Sequence, residues 1–134
     1  MDKPEPSTVF KNSDITVTAF GIPHNMPTLA YRVETPAGSV VFSSDQTGID
    51  PKFVDFARNA NLLIMHMTLP AGYSNPFHAA PAVVGRIARE AGVGRLIVSH
   101  ISQFDLDAAI GELKQSYTGP LTIGADLQCT PIVR

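Results

Sequence analysis

The stretch Gly38-Ser-Val-Val-Phe-Ser-Ser-Asp-Gln-Thr-Gly48 decides the fold prediction, because it joins a turn, a strand and an acid. Gly38 closes a turn, Val40 to Phe42 form an apolar strand core, and two serines lead to Asp45 before Gly48 interrupts the chain. In α/β proteins ligands collect at the carboxyl edge of the sheet, where this pattern places Asp45. Acids at such positions also open turns or cap helices, so this stretch alone leaves both roles open.

Three strands are predicted before and within this stretch. Residues 15–19 alternate between apolar and polar side chains, and residues 28–34 form a second strand. The turn Thr35-Pro-Ala-Gly38 then predicts antiparallel pairing with the strand at residues 39–42. Residues 1–8, which contain two prolines, are expected to form an extended arm. The first third of the chain is therefore an antiparallel meander.

After Gly48 the pattern changes to alternating helices and strands. Three segments have apolar residues at helical spacing, and the runs between them are apolar throughout, as in strands covered on both faces. Strands that alternate with helices imply right-handed crossovers and parallel pairing. The predicted helices begin at Pro51, Pro81 and Asp105, the predicted strands are residues 62–65, 96–98 and 121–123, and residues 127–133 are a tail that pairs or packs.

These elements predict a single α/β domain over residues 1–134, with one mixed sheet and about three helices on one face. Three helices cover one face of such a sheet well and hardly both faces. The central strands are nevertheless apolar on both sides, so the second face must lie against another domain, a second copy or a partner. The sequence therefore predicts a homo-oligomer or a complementary chain.

Composition excludes several classes of function. The formal net charge of −2 argues against non-specific nucleic-acid binding, which needs an excess of Lys and Arg. The sequence has no apolar run of the length of a membrane span. A single cysteine, Cys129, excludes an internal disulfide and favours a cytoplasmic location.

All four histidines lie at predicted element ends. His24 follows the first strand, His66 and His100 each end an apolar strand, and His78 precedes a helix. With Asp45 they form the donor set of zinc, manganese or iron sites, and the same groups serve as general acids and bases. Each also has an ordinary interpretation as a loop or helix-capping residue. His66, between two methionines, is expected to be buried and hydrogen-bonded.

The ordered set resembles a known family. His24 before Leu-Ala-Tyr-Arg-Val, then Val-Val-Phe-Ser-Ser-Asp45-Gln-Thr, Leu-Leu-Ile-Met-His66, His78-Ala-Ala and Leu-Ile-Val-Ser-His100-Ile-Ser resemble the second half of the metallo-β-lactamase fold. The branch that looks most similar comprises ribonuclease Z and the arylsulfatase-like hydrolases. The resemblance implies half of an αββα sandwich and covers the chain from Val9 to its end.

The resemblance also implies roles for individual residues. His24 matches a ligand of one metal ion, Asp45 the carboxylate that bridges two ions, and His100 a ligand of the second ion. His78 matches the catalytic histidine that contacts the scissile phosphate and assists protonation of the leaving group. Ser44 stands where the family usually has Gly, and Met67 stands where many members have Glu, which leaves His66 without an inherited role.

The resemblance stops at the family's first half, whose His-x-His-x-Asp-His motif supplies most of the metal ligands and is not found here. Three ligands shared between two positions imply weak or absent binding of a dinuclear centre of zinc, manganese or iron by this chain alone. Two functions follow: a hydrolase that needs a complementary N-terminal half, or a non-catalytic protein that self-associates. A nucleotide-binding domain is disfavoured, because no glycine-rich strand-to-helix turn is present.

Overall fold

The computed structural model describes residues 5–132, in which seven strands and three helices form one α/β unit. Their order is β1 (Ser7–Lys11), β2 (Thr16–Ile22), β3 (Thr28–Thr35), β4 (Gly38–Phe42), α1 (Pro51–Ala57), β5 (Leu62–His66), α2 (Pro81–Ala91), β6 (Arg95–Ser99), α3 (Leu106–Lys114) and β7 (Leu121–Ile123).

The strands lie side by side in sequence order in a single mixed sheet. β1 to β4 pair antiparallel, and β4 to β7 pair parallel, with the three helices in the parallel crossovers. This confirms the predicted meander, the change of pattern after β4 and the α/β class. The prediction of an arm over residues 1–8 missed β1, which begins at Ser7. Residues 1–4 lie outside the described part of the chain.

The hydrophobic core lies between one face of the sheet and the three helices. Val41, Leu63 and Leu96 are register partners on neighbouring strands, and all three are fully buried. They belong to one apolar cluster with Phe53 of α1 and Ile87 of α2. Helix α3 contributes Ala109 and Leu113 to the same cluster.

The opposite face of the sheet is apolar and incompletely covered. Tyr31, Phe42 and Ile64 form one register row across β3, β4 and β5, and Leu29 lies on the same side of β3 as Tyr31. Leu29, Tyr31 and Phe42 are 45%, 37% and 42% exposed, and Ile64 is half-buried. These four residues define what is called below the open face. Because the three predicted helices cover only one face of the sheet, the sequence predicted that the other apolar face would lack helices.

Local signals explain where the helices begin and end. Asp50 caps α1 by accepting a hydrogen bond from the Lys52 amide at 3.0 Å, and Pro51 occupies the first turn. Helix α2 ends at Gly92, whose φ of +64° suits a left-handed C-cap.

The guanidinium of Arg32 donates from Nη1 to the carbonyls of Phe56 and Arg58, both at 3.0 Å, and so ties β3 to the end of α1.

The C-terminal tail packs without forming a strand in residues 127–132. Its Ile132 side chain reaches the start of β4, because a Cβ on Gly38 would lie 2.7 Å from Ile132 Cγ2. Val133, the last residue of the predicted tail, lies outside the described residues. Within residues 5–132, no helix has both the length and the apolar character needed to cross a bilayer.

Candidate metal centre

The candidate site lies at the carboxyl edge of the parallel strands, where the topology gathers side chains from distant parts of the chain. His66 is the last residue of β5, His100 follows β6, and Asp45 comes three residues after β4. β2 also ends at this edge, so the β2–β3 loop brings His24 to it. The segment before α2 brings His78. The structure thus places all five sequence-predicted groups at one edge.

Asp45 is turned into the site by an unusual backbone conformation at the preceding residue. Ser44 has a φ of +52°, in the left-handed region that favours glycine. Its hydroxyl donates to the Leu29 carbonyl at 2.7 Å, and the Ser43 hydroxyl donates to the Ser44 carbonyl at 2.8 Å. These bonds hold the turn that redirects the chain out of β4. His100 has a similar φ of +50° where the chain leaves β6.

Asp45 lies between two histidines. His100 donates from Nδ1 to Asp45 Oδ1 at 2.8 Å, and His78 Nε2 lies 3.7 Å from Asp45 Oδ2. Partial burial by itself would raise the pKa of Asp45. The hydrogen bond from His100 and the attraction of the nearby imidazoles outweigh it, so the pKa is lowered from its ordinary value. Asp45 is therefore an ionised acceptor at neutral pH.

His24 is oriented by a backbone carbonyl from another loop. Its Nδ1 donates to the Phe77 carbonyl at 3.0 Å, which leaves the lone pair on Nε2. Its ring lies edge-on to the rings of Phe77 and His78, with centroids 6.2 and 5.5 Å away. A ligating histidine in a metal site is held in the same way, with its other nitrogen donating to a carbonyl or carboxylate.

The segment that carries His78 is fixed by two acceptors that the sequence reasoning missed. Asn75 Oδ1 accepts from the amides of Phe77 and His78, at 2.9 and 2.8 Å. Glu112 of α3 accepts from the Gly72 amide at 2.6 Å and from the Ala82 amide at 3.2 Å. Asn75-Pro76 was a readable turn signal. Glu112 had no local signal, because it caps α2 from a different helix.

His66 is buried and hydrogen-bonded, as the sequence predicts. It is 3% exposed, and its Nε2 lies 2.9 Å from the Gln46 carbonyl oxygen and 3.2 Å from the Gln46 amide nitrogen. Burial lowers the pKa of His66 to about 4, against the opposing effects of the Gln46 carbonyl and of Asp45. His66 is therefore neutral at pH 7. The buried Nδ1 atoms of His66 and His78 have no protein partner within the described chain.

Three of these groups converge closely enough to consider a metal ion. His24, Asp45 and His78 each offer one ligand atom within 4.8 Å of the other two. Two imidazoles and a carboxylate suit zinc, iron or manganese. The donor set therefore fits a divalent metal ion.

Comparison with known proteins identifies the family of the chain. The sequence profile of a family described as "Beta-lactamase superfamily domain" matches residues 1–101. The chain belongs to this family. The metallo-β-lactamase fold protein YhfI from Bacillus subtilis is 28% identical over 127 residues, which are 89% of this chain and 50% of YhfI. Its crystal structure superimposes with a TM-score of 0.79 over 92% of this chain and 51% of that one.

Two ribonucleases are also similar to this chain. Ribonuclease Z of Thermoplasma acidophilum is 34% identical over 90 residues, covering 60% of this chain and 29% of that protein. The short form of human tRNase Z has the same fold, with a TM-score of 0.76 at 21% identity over 95% of this chain and 46% of that one. The chain spans about half the length, or less, of the curated relatives it matches.

The backbone at Ser44 explains why the resembled branch of the metallo-β-lactamase superfamily usually has Gly at this position. The position of Ser44 is usually Gly in the resembled branch, and the backbone here has the left-handed φ that glycine adopts without strain. The ligand and catalytic roles of His24, Asp45, His78 and His100 remain predictions.

The loops that surround the site carry acids and hydroxyls, and Arg86 of α2 contacts one of them by donating to the Gly48 carbonyl at 3.1 Å. Residues 23–27, 43–50, 67–80, 100–105 and 124–132, which surround the site edge, contain neither Lys nor Arg. A cavity of about 670 Å³ opens between the loop of His24 and the segment that follows Asp45. Its lining is mostly apolar and includes Ile22, Pro23, Pro27, Leu29, Ile49 and Pro51.

Proposed function

We propose that this chain forms half of the active site of a metal-dependent hydrolase that cleaves phosphodiester or ester bonds, and that it needs a complementary half for catalysis. The observation that carries the proposal is the convergence of His24, His78 and His100 around Asp45 at the strand edge, in a chain of this superfamily. Two relatives of this chain are named ribonuclease Z, which acts in the same general class of reaction.

The proposed site residues have two roles, metal binding and proton transfer. In the complete site, His24, Asp45 and His100 would hold two divalent ions, with Asp45 between them. When bound, such ions supply Lewis-acid activation of water and of the scissile bond. His78, whose Nε2 lies 3.7 Å from Asp45, would hold the proton that passes to the leaving oxygen. His66, buried behind His78 with ring centroids 5.5 Å apart, would keep its neighbour in place.

The absence of Lys and Arg from the loops at this edge favours a small substrate over a polyanion. Binding of a nucleic-acid backbone requires several Lys or Arg side chains, and the loops at this edge contain none. The pocket that Asp45, His66 and His100 line has a volume of about 200 Å³, and none of the proposed site residues lines the larger apolar cavity beside the His24 loop.

A fusion protein tests the hydrolase proposal. The chain alone, with Zn²⁺ or Mn²⁺, should not hydrolyse bis-p-nitrophenyl phosphate or p-nitrophenyl acetate above background. Fused behind the N-terminal half of YhfI, it should hydrolyse at least one of them, and Asp45→Asn should abolish that activity. A folded, metal-loaded fusion without activity would contradict the hydrolase assignment. Turnover by the chain alone, lost in Asp45→Asn, would contradict the need for a second half.

A second candidate is a non-catalytic protein that self-associates through the open face. Leu29, Tyr31 and Phe42 favour it, because contiguous exposed apolar side chains on a sheet mark surfaces that bind other proteins. The two candidates differ in the activity of the fusion protein, which a non-catalytic chain would leave inactive.

A further inference from the structure

The segment that connects β5 to α2 carries His78 and contains neither strand nor helix. Between its ends, two hydrogen bonds join this segment to the rest of the described chain. His24 Nδ1 donates to the Phe77 carbonyl at 3.0 Å, and the Gly72 amide donates to Glu112 Oε2 of α3 at 2.6 Å. The place of the segment, and with it that of His78, therefore depends on few fixed points.

Glu112 uses both of its carboxylate oxygens to join this segment to the helix that follows it. Oε2 accepts from the Gly72 amide at 2.6 Å, and Oε1 accepts from the Ala82 amide, in the first turn of α2, at 3.2 Å. A single half-buried side chain of α3 thus holds the segment on one side of His78 and the helix on the other.

Glutamate suits this position in a way that glutamine does not. Both partners are backbone N–H donors, so each contact requires an acceptor, whereas a glutamine side chain has one acceptor oxygen and an amino group that donates. The helix end adds to this preference. Ala80 at the N-cap of α2 has no side-chain acceptor, and the N-terminal turn of a helix favours a negative charge.

We propose that Glu112 is a positioning residue for His78, which it acts on by binding both amides and holding the segment against α3. In the resulting arrangement His78 Nε2 lies 3.7 Å from Asp45 Oδ2, and its ring centroid lies 5.5 Å from that of His66. Glu112 lies outside residues 1–101, which match the family profile. The inference rests on the proposed function only in taking His78 as the group that holds the proton for the leaving oxygen.

Hydrogen exchange and nuclear magnetic resonance of the isolated chain test the positioning role without any need for activity. Glu112→Gln keeps the shape of the side chain and loses one acceptor. Exchange of the Gly72 or the Ala82 amide should become at least about tenfold faster, because that amide loses its partner. The nuclear Overhauser contact between the rings of His66 and His78 should weaken, because His78 is no longer held in place.

Two further variants and a reference amide complete this experiment. Glu112→Ala, which has no acceptor, should accelerate exchange of both amides. Asp107→Asn removes the same charge from an exposed position in the first turn of α3, and should change neither the exchange nor the ring contact. The amide of Leu63, in the core of the sheet, reports general stability and should keep its exchange rate in Glu112→Gln.

Three results would overturn the assignment. They are unchanged exchange of both amides in Glu112→Gln, faster exchange with an unchanged ring contact, and equal acceleration at Leu63, which would show a general loss of stability.

The fusion protein tests whether the positioning reaches the chemistry. Protonation by His78 matters more for phenol, a poor leaving group, than for p-nitrophenol. Glu112→Gln should therefore slow hydrolysis of diphenyl phosphate by about tenfold and that of bis-p-nitrophenyl phosphate by less than about threefold. Equal losses on both substrates would contradict an effect through His78. An inactive wild-type fusion would contradict the hydrolase assignment, whereas the exchange experiment would still decide whether Glu112 holds His78.

Discussion

Two single residues shape the site edge: Ser44 through its strained backbone, and His66 through the burial of its ring. Ser44 adopts a left-handed conformation so that Asp45 leaves the sheet and meets His100 and His78. His66 is buried as a neutral ring behind the exposed groups. Both features carry a cost in folding free energy that substitution and pH can reveal.

Substitution at Ser44 measures the backbone strain. Ser44→Gly removes a left-handed cost of about 1–2 kcal/mol and loses a hydrogen bond to the Leu29 carbonyl of about 1 kcal/mol. We expect it to be neutral or up to about 1 kcal/mol more stable. Ser44→Val, a β-branched residue at positive φ, should lose more than about 1 kcal/mol. Urea unfolding of both variants measures the difference, and equal loss in both would contradict the strain argument.

His66 predicts a loss of stability on mild acidification. Its folded-state pKa of about 4 lies below the unfolded value of 6.5, so the neutral ring stabilises the fold fully above pH 6.5. This contribution is lost as the pH falls from 6.5 towards 4, and amounts to at most about 3 kcal/mol.

Urea unfolding of the metal-free protein between pH 7 and 4.5 measures this dependence. His66→Asn should reduce the slope of stability against pH in that window, even if the variant is less stable at pH 7. Gln103→Asn, at an exposed residue that does not titrate in the loop after β6, is the control and should retain the slope. An unchanged slope in His66→Asn would show that other groups cause the acid sensitivity.

At the scale of elements, contacts between α2 and α3 that neither helix sequence predicts hold the two helices together. Helix α2 has Ala80 at its N-cap and no side-chain cap of its own, and Glu112 of α3 supplies the acceptor for the Ala82 amide. The same helices approach closely at Gly85, where a Cβ would lie 2.4 Å from the Leu113 carbonyl oxygen. Such contacts place the start of α2, and with it His78.

A pair of glycine substitutions separates helix propensity from helix packing. Gly111→Ala in α3 meets no atom within 4 Å and should stabilise the protein by roughly 1 kcal/mol. Gly85→Ala in α2 gains the same propensity but collides with the α3 backbone, and should destabilise by about 2 kcal/mol or more. Thermal or urea unfolding of both variants is the measurement. Stabilisation by Gly85→Ala would contradict the close approach of α2 and α3.

At the scale of the whole molecule, the sheet has one face covered by helices and one face that remains apolar and accessible. The open face has the character of a surface that is buried in a larger assembly, because water-exposed Leu, Tyr and Phe side chains in one patch are unfavourable. A second copy or a complementary half would remove that cost.

The open face predicts self-association of the isolated chain. Light scattering should give a mass of a dimer or larger, and Phe42→Lys at the centre of the open face should shift the chain towards monomer. Tyr73→Lys replaces an aromatic residue that is more exposed than Phe42 (66% against 42%) in a loop outside the open face, and should leave the mass unchanged. A monomeric wild-type chain at high concentration would contradict the prediction.

Most of the fold was predictable, because hydrophobic periodicity and turn residues are local properties. The change of period after Gly48, Asp50-Pro51 at the start of α1 and Gly92 at the end of α2 all lie where the sequence placed them. β1 was missed, because all five of its residues are exposed and its pairing with β2 leaves no burial pattern to read.

The sequence by itself determined which residues reach the site edge, because each lies where a strand or helix ends. Only the tertiary structure decided which of them meet. The pairing of Asp45 with His100, the approach of His78 and the bond from His24 to the Phe77 carbonyl join residues at least 33 positions apart (78 minus 45). These contacts depend on strand register, on the left-handed turns at Ser44 and His100, and on the hydrogen bonds that Glu112 accepts. None of these features has a local signature in the sequence.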